Sequence, residues 1–396
     1  MKKLTLKDVS VERKRVLVRV DYNVPLDGGV VADDARIRAS LPTIRYLLGK
    51  KAKIILLSHL GRPAGEVVDE WRMDPVARCL EKLLGMKVKK IDFTVGPEVE
   101  RSVRNLDGGE ILLLENVRFL PGEEKNDPLL AEKIAALADI FVNDAFGTAH
   151  RAHVSTTGIT RYLPAVAGFL MEKEITTLRR CLDRPERPLT AIFGGAKVSD
   201  KIGVINKFLE LADNILIGGG MANTFLRAKG YDMASSFYEE GRIESARELL
   251  KKIRAGRKRV YLPDDLVIVE ELVAGAPFRT VAADSVTGGW KAVDIGPGTM
   301  ESFSEIVAAS GMIIWNGPLG VFELSPFDRG TEAVARAAVE SKAYLLVGGG
   351  DTAAAFERFG IAAEADYIST GGGATLEFLE GKELPGIAAL KGLDKY

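Results

Sequence analysis

Short apolar runs alternate with longer stretches of helical periodicity along almost the whole chain. Stretches such as Pro75–Leu84 and Leu129–Leu137 carry apolar residues three and four positions apart, which is typical of amphipathic helices. The runs between such stretches are rich in β-branched residues and predict strands: Val16–Val20, Ile54–Leu57, Ile111–Leu114, Ile140–Val142, Leu189–Phe193, Ile215–Ile217, Val260–Leu262, Val293–Ile295, Ile313–Trp315, Tyr344–Val347 and Tyr367–Ser369. This alternation predicts an α/β protein with mostly parallel sheets flanked by helices.

A proline-rich segment divides the pattern into two parts. Apolar residues at roughly helical spacing predict a connecting helix over about 165–182, and the two prolines within Asp183–Pro188 then stop the helix and stiffen the chain. We therefore expect an N-terminal domain over 1–165, a connecting hinge helix over 166–185 and a C-terminal domain over 186–378. The tail over 379–396 breaks the alternation and could pack back on the N-terminal domain.

Composition adds a glycine surplus and excludes several classes. The 396 residues include 41 glycines, whereas average usage would supply roughly 28. Two cysteines cannot build a disulfide framework or a cysteine-based zinc site, which fits a reducing compartment. The chain starts with charges where a signal peptide needs an apolar stretch, and its apolar runs are too short to span a bilayer. We expect a cytoplasmic protein without a membrane partner.

The charge balance argues against a nucleic-acid partner. Lysine and arginine number 54 against 55 aspartates and glutamates. Residues 1–187 carry 32 basic and 27 acidic side chains, and 188–396 carry 22 and 28. Neither part approaches the basic excess of a protein that wraps a polyanion, so local clusters must supply the functional charge.

In the first part, cationic residues cluster after the strands. Ligands of open α/β sheets bind beyond the carboxyl ends of the strands. The loops there hold all three histidines and several arginines, and alone each arginine would be an ordinary surface charge. Together they favour a small ligand with at least two anionic groups, since guanidinium forks match carboxylate and phosphate oxygens. The candidate binding residues are Asp21, Asn23, Arg36, His59, Arg62, Arg118 and Arg151.

In the second part, the strands run into glycine-rich loops. Six loops hold 15 glycines: Gly194–Gly195, Gly218–Gly220, Gly296–Gly298, Gly317–Gly320, Gly348–Gly350 and Gly371–Gly373. Such a loop can simply tighten a strand-to-helix junction, but it also lets backbone N–H groups approach an anion at a helix N-terminus. Six of them, with Lys197 and Lys201 nearby, favour a polyphosphate. Asp351 is a suitable carboxylate for Mg²⁺, and Glu323 could bind ribose hydroxyls.

Other nucleotide-binding classes fit less well. The chain has no P-loop and neither the His-Arg-Asp nor the Asp-Phe-Gly motif of protein kinases. Gly348–Ala353 satisfies the dinucleotide pattern of an oxidoreductase, but that reading leaves Lys197 and Lys201 without a role. A non-enzymatic nucleotide sensor would have no use for the arginines of the first part.

These residues resemble the phosphoglycerate kinase family over nearly the whole chain. The motifs follow in the family's order: Arg19–Pro25, Ser58–Pro63, Glu115–Phe119, Gly147–His153, Gly194–Val198, Trp315–Glu323, Gly349–Thr352 and Ser369–Ala374. Tyr22 stands where phenylalanine is usual, and Thr375–Phe378 also departs from the family pattern. The resemblance implies two Rossmann-like domains facing each other across a cleft. It also implies a monomer that reversibly transfers a phosphoryl group from 1,3-bisphosphoglycerate to ADP in glycolysis.

The resemblance implies a role for each candidate residue. It places the acid substrate on the seven first-part residues named above. It places the Mg²⁺-bound ATP or ADP on Lys197, Lys201, Asn316, Glu323, Gly350, Asp351, Thr352 and Ala353, with the adenine near Gly218 and Gly219 and the metal on Asp351. We expect Arg36, Lys197 and the backbone N–H groups of Gly371, Gly372 and Gly373 to hold the migrating group, after closure of the two domains on each other.

Overall fold

All eleven apolar runs form strands, and no predicted end differs from the observed one by more than two residues. The structure, a computed structural model, describes residues 3–256 and 259–392. Its strands are β1 (Arg15–Arg19), β2 (Leu26–Asp27), β3 (Val30–Val31), β4 (Lys53–Leu57), β5 (Lys89–Lys90), β6 (Ile111–Leu113), β7 (Ile140–Asn143), β8 (Ala165–Ala167), β9 (Leu189–Phe193), β10 (Asn214–Ile217), β11 (Arg259–Tyr261), β12 (Asp265–Val269), β13 (Phe278–Ala282), β14 (Lys291–Ile295), β15 (Met312–Asn316), β16 (Tyr344–Gly348) and β17 (Tyr367–Ser369).

The helices fill the intervals between the strands. They are α1 (Ala35–Gly49), α2 (Asp74–Leu84), α3 (Pro97–Arg104), α4 (Pro128–Ala135), α5 (Phe169–Asp183), α6 (Ile202–Leu211), α7 (Gly219–Lys229), α8 (Ile243–Ala255), α9 (Pro297–Ala308), α10 (Arg329–Glu340), α11 (Gly350–Arg358), α12 (Gly373–Leu379) and α13 (Pro385–Ala388). Within the described ranges, no helix combines the length and the apolar character needed to cross a bilayer.

The contacts divide the chain into two units, each built on one parallel sheet. The first unit holds the residues up to Thr176 together with those from Glu383 onward. Its six strands lie in the order β5-β6-β4-β1-β7-β8 and all pair in parallel. Because β1 lies between β4 and β7, the chain leaves it towards one edge and later returns to fill the other, which places the binding crevice at the carboxyl end of β1.

The second unit, Thr177–Lys382, repeats this plan. Its strands lie in the order β11-β10-β9-β15-β16-β17, again all parallel. The central strands β9 and β15 are buried along their whole length, as expected for a sheet covered on both faces. The corresponding crevice lies at the carboxyl ends of β9 and β15.

A small antiparallel sheet departs from the expected parallel pattern. Val293–Ile295 belongs to β14, which pairs with β12 in the three-stranded order β13-β12-β14. The loop after β14, one of the six glycine-rich loops, is therefore not at the edge of the large sheet. Its backbone N–H groups bind Asp265 instead: Gly298 N donates to Oδ2 at 3.0 Å and Thr299 N to Oδ1 at 2.8 Å. An internal carboxylate thus occupies the place that we expected for a ligand anion.

The connecting helix starts later than the sequence predicts. Ala165–Ala167 forms the edge strand β8 beside β7, and the helix α5 begins at Phe169. The buried Asp144 sets this start, because its Oδ1 accepts hydrogen bonds from Leu170 N at 2.9 Å and Met171 N at 3.3 Å. A side chain at Gly168 would overlap the Asp144 carboxylate. The apolar periodicity of 165–168 therefore reflects a buried strand, not a helical turn.

We expect Asp144→Asn to stabilise the protein at neutral pH. Burial raises the pKa of the Asp144 carboxyl to about 6, whereas its ordinary value is 3.8. The ionised form therefore costs stability above pH 6, and that cost disappears as the pH falls from 6 to 4. Asparagine can still accept both backbone hydrogen bonds without a charge. Its Tm should exceed the wild-type Tm by a few degrees at pH 7.5, and the difference should vanish near pH 4. A lower Tm for Asp144→Asn at pH 7.5 would contradict this account.

The segment from Glu383 packs within the first unit. Leu4 N donates to Lys391 O at 2.9 Å, and Gly386 N donates to Ala149 O at 2.8 Å. Asn143 Nδ2 also reaches Gly386 O at 3.4 Å. These bonds attach the segment close to the loop that follows β7. The final residues of the expected tail, 393–396, lie outside the described residues.

Candidate active site

The seven candidate residues of the first unit, which we call the anion basin, follow the carboxyl ends of β1, β4, β6 and β7 and the start of α1. The structure brings three of them into contact. Arg36, in the first turn of α1, donates from Nη1 to Asp21 Oδ2 at 2.9 Å. Asp21 Oδ1 lies 3.9 Å from Nδ1 of the buried His59. Arg36 Nη1 also lies 3.4 Å from Asn23 O, and the side chain is 35% exposed, so a ligand can reach the guanidinium group.

Arg19 fixes the protonation state of His59. Arg19 Nη2 lies 3.1 Å from His59 Nδ1. A guanidinium can only donate, so Nδ1 is the acceptor and the imidazole proton is on Nε2. Burial, reinforced by the Arg19 guanidinium, holds the pKa of His59 well below its usual range. His59 is therefore neutral and can offer Nε2–H to a ligand oxygen.

The loop after β4 is held by Asn23 and Arg118. Gly61 N donates to Asn23 Oδ1 at 2.9 Å, and Arg118 Nη1 donates to Gly61 O at 2.8 Å. Gly61 has a φ of +65°, and a Cβ there would lie 2.5 Å from the indole of Trp71, so only glycine fits. Burial, followed by the charge of Arg151, lowers the pKa of Arg118 to about 10, which leaves it charged at neutral pH.

The two remaining arginines extend the cationic edge. Arg62 follows Gly61 and is exposed. Arg151 donates from Nε to His150 Nε2 at 3.2 Å. Its charge contributes to the lowered pKa values of His59, Arg118 and His153, which places it among them. The structure therefore gathers Arg36, Arg118 and Arg151 near the buried His59, whose pKa all three lower, while the contacts of the described residues do not place Arg62 among them.

Sequence reasoning missed the buried support beneath the basin. Arg19 is 2% exposed and donates from Nε to Ser155 Oγ at 2.9 Å. Ser155 N in turn donates to Oε2 of the buried Glu123 at 3.0 Å. Two signals in the sequence pointed to Arg19: it is a charged residue within an apolar run, and it opens the motif Arg19–Pro25, but neither indicates what it contacts. Nothing in the sequence connects Glu123 to Ser155.

The carboxyl edge of the second sheet opens into a cavity of about 350 Å³. Its walls are largely apolar, which suits a flat heteroaromatic ring. The apolar wall residues are Phe237, Leu266, Leu272, Leu319, Val321 and Phe322. Two of the candidate carboxylates, Glu323 and Asp351, lie at the same cavity, as do Gly195 and Gly219.

The individual glycines of these loops fall into two groups, even within one loop: a Cβ at Gly349 would lie 2.9 Å from Asn316 Nδ2, whereas one at Gly350 would be unobstructed. A side chain at Gly194 would overlap the Pro318 carbonyl oxygen, and a Cβ at Gly219, whose φ is +65°, would lie 2.8 Å from Gly195 N. These glycines let neighbouring backbones pack together. In contrast, a Cβ at Gly350, Gly372 or Gly373 would meet nothing within 4 Å. The second group leaves open space beside the backbone, as an anion cradle requires.

The candidate lysines differ in environment. Lys197 is exposed in the loop after β9. Lys201 is mostly buried and donates from Nζ to Gly194 O at 2.6 Å. Burial lowers the pKa of Lys201 to about 8, while the charge of Asp351 opposes this shift. Asp351 itself is exposed in the first turn of α11.

Several candidate residues hold the loops in place. Asn316 Nδ2 donates to Gly348 O at 2.8 Å. Thr352 Oγ1 donates to the same oxygen at 3.0 Å and accepts from Gly317 N at 2.7 Å. Asn316 and Thr352 therefore join the loops after β15 and β16. Gly371 N donates to Ser369 Oγ at 3.3 Å, whereas Ala353 lies half-buried in α11.

Comparisons with known proteins identify the family. The family model for phosphoglycerate kinase matches residues 6–382. The chain is 56% identical to the phosphoglycerate kinase of Moorella thermoacetica over 390 residues, covering 98% of this chain and 99% of that protein. It is 53% identical over 395 residues to that of Pelotomaculum thermopropionicum, with full coverage of both.

The chain belongs to the phosphoglycerate kinase family.

Solved structures agree with this assignment. The chain is similar to the phosphoglycerate kinase of Coxiella burnetii, with a TM-score of 0.88 at 41% identity, and to that of Pyrococcus horikoshii, with 0.86 at 34%; 98% of each chain is covered in both comparisons. Membership in the phosphoglycerate kinase family confirms the expected α/β fold with two parallel sheets. It also confirms the expected class of enzyme, a kinase that transfers a phosphoryl group to a carboxyl group.

Proposed function

We propose that this phosphoglycerate kinase binds its three-carbon acid in the anion basin and its nucleotide at the cavity of the second unit. The reaction would transfer the phosphoryl group reversibly between 1,3-bisphosphoglycerate and ADP. The proposal rests on the difference between the two sheet edges. The first-unit edge holds arginines near Asp21, and the second-unit edge combines an apolar cavity with lysines and with glycines that leave open space. A coupled assay with 3-phosphoglycerate and ATP, with and without Mg²⁺, tests it; turnover without 3-phosphoglycerate would overturn it.

The anion basin suits a molecule with a carboxylate and a phosphate. The guanidinium groups of Arg36, Arg118 and Arg151 can each donate to ligand oxygens; in Arg118, Nη1 also bonds to Gly61 O and Nε pairs with Glu124 at 3.1 Å. The neutral His59 adds one N–H donor, and the Asp21 carboxylate can accept from a substrate hydroxyl. 3-Phosphoglycerate carries a carboxylate, a phosphate and a hydroxyl, which match these protein groups.

The second unit suits a nucleoside polyphosphate. The apolar cavity, bounded by Gly219 and Leu319, takes the base, and Glu323 lies close enough to accept from ribose hydroxyls. Lys197, Lys201 and the N-terminus of α11 supply positive charge and N–H groups for the phosphates. The open space beside Gly350 allows a phosphate to approach this helix end.

Asp351 is the residue that would hold Mg²⁺. It provides one exposed carboxylate beside the proposed phosphate site, which fits an ion that takes one or two carboxylates and completes its shell with phosphate oxygens and water. When bound, Mg²⁺ neutralises the phosphate charge and fixes the geometry of the nucleotide. The carboxylate of Asp351 would also orient the Lys201 ammonium, whose pKa it raises.

We expect Asp351→Asn to weaken nucleotide use selectively. Loss of the anionic oxygen should raise KM for the Mg²⁺-nucleotide by about 10–100-fold. KM for 3-phosphoglycerate should stay unchanged, because that site lies in the first unit. Glu357→Gln, another exposed position of α11, is the matched control and should change neither constant. An equal rise of both KM values would instead indicate damage to the fold.

Catalysis in this proposal consists of alignment and charge stabilisation. The substrate carboxylate is already ionised at neutral pH, so its attack on the γ-phosphorus needs no general base. Arg36, Lys197 and the backbone N–H groups of Gly372 and Gly373 hold the equatorial oxygens of the migrating group, whereas Gly371 N is bonded to Ser369 Oγ. Such donors act most strongly where water is excluded.

The proposed mechanism requires the two units to close during the reaction, because Arg36 belongs to the first unit and Lys197 to the second. The helix α5 connects them and is the proposed hinge. Small-angle scattering should therefore give a smaller radius of gyration with both substrates bound than with either alone. An unchanged radius in the ternary complex would rule out closure.

We also propose that the enzyme acts as a monomer in the cytoplasm. Every group used above comes from one chain, so the mechanism needs no residue from a second copy. Cys79 and Cys181 are both free thiols, which suits a reducing compartment. Light scattering during gel filtration should return the mass of one chain, and a dimer mass would contradict the monomer.

A further inference from the structure

A buried threonine supports one wall of the cavity in the second unit. This wall segment, Leu319–Glu323, follows β15 and contributes all of its residues to the cavity lining. Thr331, in the first turns of α10, is fully buried behind it. Its Oγ1 accepts hydrogen bonds from Leu319 N at 3.0 Å and from Gly320 N at 3.2 Å. One hydroxyl therefore satisfies two consecutive backbone donors of the wall.

The start of α10 is itself anchored, which fixes the position of Thr331. Asp294, 4% exposed, accepts from Gly330 N at 2.7 Å through Oδ2 and from Ile295 N at 2.9 Å through Oδ1. A side chain at Gly320 would overlap the Asp294 carboxylate. Gly320 is thus confined between Asp294 and Thr331, and the wall has little freedom to move inward.

The wall contacts the loop where the proposed adenine site lies. Gly219 N donates to Leu319 O at 2.9 Å. A Cβ at Gly218 would lie 2.5 Å from Leu319 Cδ2, so the leucine side chain packs directly against that glycine. A displacement of Leu319 would therefore change the cavity on two sides, at the wall and at the start of α7.

We propose that Thr331 is a positioning residue for the nucleotide, which acts through Leu319 and Gly320 without touching the ligand. The inference rests on the proposed placement of the nucleotide in this cavity. Removal of the hydroxyl leaves the buried Leu319 N–H and the partly buried Gly320 N–H without their acceptor, and the wall gains freedom to move in order to satisfy them. A mobile wall binds a base less tightly, since the cavity must then be ordered on binding.

The test compares Thr331→Val with Thr331→Ser. Valine keeps the shape and lacks the acceptor, whereas serine keeps the acceptor. Calorimetric titration with Mg²⁺-ADP should give a Kd about 10-fold higher for Thr331→Val and a wild-type Kd for Thr331→Ser, with Kd for 3-phosphoglycerate unchanged in both. If Thr331→Val does not fold, Thr331→Ala replaces it in the same comparison.

Thr190→Val is the matched control. Thr190 is also fully buried in the second unit, and its Oγ1 bonds to Ser310 Oγ at 2.7 Å and accepts from Asn214 Nδ2 at 3.3 Å. It lies near the amino end of β9, away from the carboxyl-edge cavity. Thr190→Val should lower Tm and leave both Kd values unchanged. A wild-type nucleotide Kd for Thr331→Val, or the same rise in Thr190→Val, would overturn the positioning role.

A third variant separates this inference from the placement of the nucleotide. Phe237 is 53% exposed at the cavity, and the bond that Asn223 makes to it uses the backbone oxygen, so Phe237→Ala should fold normally. If the base lies in the cavity, loss of the ring should raise the Mg²⁺-ADP Kd. A raised Kd for Phe237→Ala with a wild-type Kd for Thr331→Val refutes the role of Thr331 alone. A wild-type Kd for Phe237→Ala refutes the placement.

Discussion

Replacement of Arg36 by alanine is expected to lower kcat by about 10²–10³-fold, the effect of removing one strong donor to a transition-state oxyanion. Arg36 donates from Nη1 to Asp21 and to Asn23 O and is one-third exposed, so Nε and Nη2 remain for the migrating phosphoryl group. The change should raise KM for 3-phosphoglycerate far less than it lowers kcat, because Arg118 and Arg151 remain in the basin. Steady-state kinetics with both substrates varied gives the two constants.

Arg38→Ala is the matched control for Arg36→Ala. Arg38 lies two residues further along α1, is 60% exposed, and forms an ion pair with Asp34 at 2.7 Å. Exposed pairs of this kind contribute little to stability. Arg38→Ala should therefore retain wild-type kcat and nearly wild-type Tm. Near-wild-type turnover by Arg36→Ala would remove Arg36 from the proposed mechanism, and an equal loss in both variants would attribute the effect to α1 as a whole.

The core of the fold was predictable because parallel strands covered on both faces read as uninterrupted apolar runs. β9 and β15 show this most clearly. Leu266–Val269 has the same signature and could have been identified as a strand, but nothing in it indicates that β12 pairs antiparallel with β13 and β14. Pairing direction depends on the connections, and apolar periodicity does not encode them.

The candidate site was predictable for a different reason. Strand ends share an edge in a parallel sheet, so residues such as Asp21 and His59 could be placed together without knowledge of any contact. Residues that act through long-range contacts could not be found this way. Arg19 contacts His59, which is 40 positions further along the chain. Thr331 accepts a hydrogen bond from Leu319 N in the cavity wall, and no local sequence pattern indicates this bond.

The glycine surplus shows the same limit. The sequence indicates that the loops of the second unit need glycine, but two different requirements produce that signal. Gly194 and Gly219 are required because another backbone lies against them, whereas Gly350 and Gly373 leave space that a ligand could fill. Gly296 is required for another reason, because a side chain there would overlap the Asp265 carboxylate. Its loop therefore offers no space to a nucleotide. Only the contacts distinguish these cases.

Replacement of Lys197 by alanine is expected to lower kcat by about 10²–10³-fold as well. Lys197 is exposed in the loop after β9, so its loss should leave the fold intact. Lys201 donates to the Gly194 carbonyl oxygen, but the contacts described for this loop include no such bond from the Lys197 ammonium. We therefore expect the charge of Lys197 to be available for the migrating group, and we expect KM for the nucleotide to change less than kcat because Lys201 and α11 remain.

Lys207→Ala distinguishes this role from a general effect of positive charge on the second unit. Lys207 is 41% exposed on α6 and lies 3.8 Å from Glu210. The substitution Lys207→Ala therefore removes one positive charge from the same unit as Lys197→Ala does. If long-range attraction of the polyphosphate were the cause, both variants should weaken nucleotide binding, and added salt should reduce the difference from wild type. If Lys197 stabilises the transition state, only Lys197→Ala should lose kcat, and the loss should persist at high salt. Wild-type kcat in Lys197→Ala would remove Lys197 from the proposed mechanism, and Arg36 and the open glycines alone would then stabilise the charge of the migrating group.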